Sequence, residues 1–353
     1  MTIRKHLSAL VICLLTVFAL GCLLPVTALA AAPSGQVIYV GDEAVTSDGY
    51  WTTDDSGNVT AYSGEGAPTD NYIHYDTANN TLTLHNATIK ESVPSDTSTY
   101  VMGAGIGVFN QNDASKLTIK LEGSNAIENV SAGIYVLAFS NSTGDASLTI
   151  TGDGSLDASG SYSPAIRVQS NGSNATLSIE NAKVTATASS SGGSVLVQSK
   201  NDSSVSLTVD GGSLTASGSS GILYGSSGNA SVPNTVNLTI SNSALVDARD
   251  GGIGAGSITN LSEVSPTDSS VGIVFDGDEG TVYGDVTLQE DLTISEGESL
   301  KLDSGASLNA GGHNVIVDGG TLDESLKTSL GDMVKYTPTI TITNLPNGNV
   351  GTP

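Results

Sequence analysis

The triplet Leu148-Thr149-Ile150, with Ile134-Tyr135-Val136 before it and Gly154-Ser155-Leu156 after it, decides the fold. The triplet recurs as Leu82-Thr83-Leu84, Leu117-Thr118-Ile119, Leu177-Ser178-Ile179, Leu207-Thr208-Val209 and Leu238-Thr239-Ile240. Successive copies lie roughly thirty residues apart, the mark of a repeat array. Its upstream companion recurs as Ile106-Gly107-Val108, Ile166-Arg167-Val168 and Val195-Leu196-Val197, and its downstream companion as Ala182-Lys183-Val184 and Gly212-Ser213-Leu214. Asn, Gly, Asp and Ser separate the three, which is turn chemistry.

Three short strands per thirty residues describe one rung of a coil. A β-sandwich would also use short strands. It does not explain equivalent residues returning at a fixed period. Stacked rungs do, because each sits ~4.8 Å above the last with like residues over like. Alternation within the triplet sends Leu and Ile inward and Thr or Ser outward. The expectation is an all-β fold: a right-handed parallel β-helix (β-solenoid) of about six three-strand rungs.

Working outward, residues 31–80 form an N-terminal cap and lead-in strands. Tyr39, Tyr50, Trp51, Tyr62, Tyr72 and Tyr75 there are expected to cover the open first rung. The main rungs occupy 81–270. Shorter closing rungs follow in 271–330, through Val286-Thr287-Leu288, Leu292-Thr293-Ile294, Leu300-Lys301-Leu302 and Val315-Ile316-Val317. Residues 331–353 read as a linker. Their run Leu345-Pro346-Asn347-Gly348-Asn349-Val350-Gly351-Thr352 resembles the opening of a bacterial immunoglobulin-like module, cut short.

Residues 1–30 read as a secretory signal peptide: Arg4, Lys5 and His6, an apolar stretch over 7–26, then Ala28-Leu29-Ala30. A membrane anchor and acylation at Cys22 are the competing readings. Both cysteines, Cys13 and Cys22, lie in this segment, so the mature chain has no disulfide. Removing Arg4 and Lys5 from the 12 basic residues leaves ten against 36 acids, a mature charge of −26. That charge argues against nucleic acid and anionic membrane surfaces as partners. It suits an extracellular or cell-surface protein without membrane insertion after signal cleavage.

The run from Tyr75-Asp76 through Leu82-Thr83-Leu84-His85-Asn86-Ala87-Thr88-Ile89, followed by the Gly-Ile and Leu-x-Ile rungs, carries a family resemblance. It resembles the start of carbohydrate-binding β-helix proteins exported by anaerobic Gram-positive bacteria. The resemblance spans about residues 37–325. It implies polysaccharide adhesion, with calcium in some members. It places no ligand residue on this chain.

Chemistry has few places to sit. The close acid groups are Asp54-Asp55, Asp276-x-Asp278-Glu279 and Glu290-Asp291, all in turns. Glycoside hydrolysis needs two carboxylates across a cleft. The Asn-Thr-Asp, Gly-His-Gly and Arg-Ile-Lys runs of polygalacturonase-like enzymes do not occur. His74, His85 and His313 share no spacing. No enzyme is expected; a polysaccharide lyase or glycosidase is the remote alternative. Asp276, Asp278 and Glu279, interleaved with Gly277 and Gly280, offer hard oxygen ligands suited to calcium. A solvated acidic turn is the plainer alternative.

The outward columns of the Ile-x-Val strands hold the most information. One reads Gly107, Tyr135, Arg167, Leu196, Leu223, Gly254; the next reads Phe109, Leu137, Gln169, Gln198, Gly225. Aromatic and amide side chains on an exposed strand face suit sugars, by stacking and by directed hydrogen bonds. Tyr135, Arg167, Gln169 and Gln198 are therefore the candidate carbohydrate-binding residues. Arg167, one of two arginines in the mature chain, suits the carboxylate of an acidic polysaccharide. Packing beneath long loops is the competing reading of this face. The expected function is non-catalytic polysaccharide binding; the alternative is a structural stalk or adhesin segment presenting other modules.

Overall fold

The computed structural model describes residues 31–338, apart from 96–99, 140–143, 190–192, 200–202, 219, 227–234, 256–263, 265 and 268. The stretches read as a signal peptide and as the opening of an immunoglobulin-like module fall outside the described residues. The chain is all-β, with a β-solenoid of about five parallel turns. Each turn contributes one strand to each of three sheets. The second turn is representative: Ala132–Ala138 in the first sheet, Ala146–Gly152 in the second, Ser155–Gly160 in the third.

Register follows the repeat. Ile134 lies between Ile106 and Ile166, and Leu148 between Leu117 and Leu177. These inward residues are fully buried and belong to one continuous core. The small residue before each Ile-x-Val strand has a steric reason. A Cβ on Gly133 would stand 2.5 Å from the Ala165 carbonyl oxygen of the next turn. The corner after each Leu-x-Ile strand needs positive φ, which Asn86, Asn181 and Asn242 supply on some turns and Gly123 and Gly211 on others.

The spacing predicts about six rungs, and the copy at Leu82 accounts for the difference. Its strand, Thr81–His85, pairs parallel with Ser115–Glu122 but places Leu82 opposite Ile119 rather than Leu117. Its other edge pairs antiparallel with Tyr72–Asp76. At this level the first sheet is filled by Val37–Val40, antiparallel to Ala104–Asn110. The lead-in level is thus built from both strand directions and is no regular turn. Trp51 and Tyr75 point into the coil core, as expected of a cap. Tyr50 and Tyr72 instead face outward, stacked on His74 and His85 at ring-centroid distances of 4.3 and 4.7 Å.

At the other end the chain reverses. Gly272–Asp276 continues the third sheet, then pairs antiparallel with Glu279–Tyr283. Short rungs follow, pairing Glu279 with Ser299, Asp285 with Ser307 and Leu292 with Val315. Val274 packs into the coil core, whereas Ile273 and Phe275 on the opposite face join a second core with Val282, Leu300, Val315 and Leu326. The short rungs therefore use the outer face of the shared sheet. The helix Glu324–Leu330, capped by Asp323, closes this second core with Leu326 and Leu330. No helix among the described residues is long and apolar enough to cross a membrane.

Candidate functional site

The first sheet displays both outward columns in the order the spacing predicts. Gly107, Tyr135, Arg167, Leu196, Leu223 and Gly254 align across six strands. Within them the four candidate residues form one connected group. The Tyr135 hydroxyl donates to Gln169 Oε1 at 2.7 Å, and Gln169 Nε2 donates to Asn171 Oδ1 at 2.8 Å. The Arg167 guanidinium lies over the Tyr135 ring, 4.6 Å from its centroid, and its Nη2 donates to Gln198 Oε1 at 3.3 Å.

Exposure divides the group. Tyr135 and Arg167 are half-buried, while Gln169 and Gln198 are only 8% and 7% exposed. Burial raises the Tyr135 hydroxyl above the ordinary tyrosine range, and the Arg167 charge opposes that shift. Arg167 Nε is buried and meets no acceptor among the described residues. A guanidinium held over a ring presents a planar fork whose geometry matches a carboxylate.

The flanks differ. Toward the N-terminus, Val93 and Val101 lie directly on the sheet, where a Cβ on Gly107 would meet them at 2.9 and 2.8 Å. With Phe109 and Leu137 they make a small separate core. Beside it Tyr100, half exposed, stacks on Phe139 at 4.1 Å. So the Gly107 end of the face is covered, and an aromatic shelf adjoins Tyr135. Sequence reasoning passed over Tyr100 and Phe139 because neither lies on the repeat. Toward the C-terminus the columns run out through Leu223 to Gly225 and Gly254.

The acidic turn makes two polar contacts within the protein. Asp276 Oδ1 accepts from the Ile253 backbone N–H at 2.6 Å, and Glu279 pairs with Lys301 at 3.0 Å. Asp278 sits between them in the hairpin bend. Among the described residues, no three His, Cys, Asp or Glu side chains are grouped to hold a metal ion. His85 lies 3.5 Å from Asp70 and 3.3 Å from Glu122, and His313 lies 3.7 Å from Asp291. Asp247 pairs with Arg249.

Neither a family model, nor a curated protein, nor a solved structure matches this chain.

Proposed function

We propose that this chain is a non-catalytic polysaccharide-binding module of an exported bacterial surface protein, using the outer face of its first sheet. The observation that carries the reading is the joined group Tyr135, Arg167, Gln169 and Gln198. Three successive turns contribute to it, and turn spacing fixes its geometry. Arg167 binds a uronate carboxylate, and the exposed parts of Tyr135 and Tyr100 meet sugar rings. A right-handed winding belongs to the same reading, since a right-twisted strand returning parallel in its own sheet favours that hand.

A glycan array run on the full chain with and without a chelator tests this. Retention of acidic polysaccharides is the expected result, and its loss in chelator would assign calcium a part. Retention of no polysaccharide in either condition would contradict the reading. New unsaturated or reducing ends from polygalacturonate would make the protein an enzyme. The stalk reading has one observation in its favour: Gln169 and Gln198 are buried and hydrogen-bond within the protein. It predicts no retention and a partner module next to the coil.

A further inference from the structure

The coil core stops at a polar cleft. Beyond the last turn, the face of the third sheet that would continue the core carries Thr281 opposite Val274 and Lys301 beside Thr281. Asp276 and Glu279 lie opposite each other in the hairpin, and Asp303 follows Leu302. Together with Ile253 and Pro266 these residues line a cavity of about 270 Å³. That is far more than the ~10–15 Å³ one water needs, so the cleft has room for a ligand larger than a few waters.

We propose that this cleft binds a protonated amino sugar, as the end or side residue of a cationic glycan. Three carboxylates face one ammonium, so the cavity is net negative and rejects uronates and phosphates. Glu279 is partnered by Lys301, and one oxygen of Asp276 by the Ile253 N–H. Asp303 accepts no side-chain hydrogen bond from the described residues, so its carboxylate is the receptor for an ammonium. Ile253, Val274 and Pro266 give the apolar wall that a pyranose face packs on, and the Thr281 hydroxyl a hydrogen-bond partner for ring hydroxyls. Charge preference here is opposite to that of the Arg167 face. The two sites are separate, and this one stands whether or not the first-sheet reading holds.

The test is calorimetric titration of the full chain with a glucosamine oligomer and with its N-acetylated counterpart, which keeps the ring and removes the charge. The glucosamine oligomer should bind at least tenfold tighter, with affinity falling as salt is raised. Asp303→Asn should weaken it about tenfold. Lys301→Met, which releases Glu279, should strengthen it several-fold, a gain that misfolding cannot imitate. Arg167→Ala should leave it unchanged. Equal affinity for the two oligomers, no binding of either, or indifference to both Asp303→Asn and Lys301→Met would overturn the proposal.

Discussion

Leu148 and Thr149 are neighbours in sequence with opposite energetic roles. Leu148 is fully buried between Leu117 and Leu177, whereas Thr149 faces outward between Thr118 and Ser178. Leu148→Ala should cost about 2–5 kcal/mol through lost burial and the cavity left behind. Thr149→Ala should stay within about 0.5 kcal/mol. Denaturant melts of the two variants check this, and comparable losses would mean the parity is wrong. That parity was legible because alternation is strict wherever strands stack in register. The cap aromatics were not legible in the same way. Tyr50 and Trp51 look alike as cap material, yet adjacent strand positions point to opposite faces. Which one goes inside depends on the antiparallel pairing with Tyr72–Asp76, and no repeat announces it.

Among elements, the cap and the C-terminal rungs are held by polar groups that the repeat does not encode. Hydrogen bonds from Thr77, Asn58 and Asn86 hold Asp48, Asp54 and Asp70 below their ordinary carboxyl range, and Lys120 does the same for Glu122. Groups lowered in this way support the fold above their ordinary values of 3.8 and 4.5, and lose that support as pH falls through the lowered values. Asp247 runs the other way, raised by burial, so it favours the fold in acid. Acidification from about pH 5 to pH 2 should therefore loosen the cap before the coil. Amide exchange resolved by segment would show this; simultaneous loss of protection would contradict it. At the far end, Arg249 lies over Phe275 at 3.8 Å and reaches Asp247, Glu298 and the Thr293 carbonyl. Its Nε is within ion-pair distance of Asp247 without hydrogen-bond alignment. Arg249→Met leaves two half-shielded acids together and should destabilise residues 279–336 by about 3–5 kcal/mol. Local exchange there, with the coil unaffected, is the expected signature. The Asp247–Arg249 pair is local, its members two residues apart. The Glu298 and Phe275 contacts depend on the chain reversal at Gly277, which moves the second core to the opposite sheet face.

For the whole molecule, the coil works as a ruler. Each turn carries its outward residues to a fixed height, so Tyr135 lines up with Arg167, and Gln169 with Gln198, although some thirty residues separate the members of each pair. This much of the candidate site was readable, because the same spacing that builds the core orders the surface. Its depth was not, because burial of Gln169 and Gln198 depends on side chains lying across strands. The molecule's overall negative charge opposes an acidic ligand, so attraction must come from the local field of Arg167 and weaken as salt rises. The most direct measurement is titration of a galacturonate oligomer into the full chain and into Arg167→Ala. Saturable binding to the unaltered chain is expected, at least tenfold weaker in the variant, with the same circular dichroism. Equal affinity for the two proteins, or no binding to the unaltered chain, would contradict this expectation.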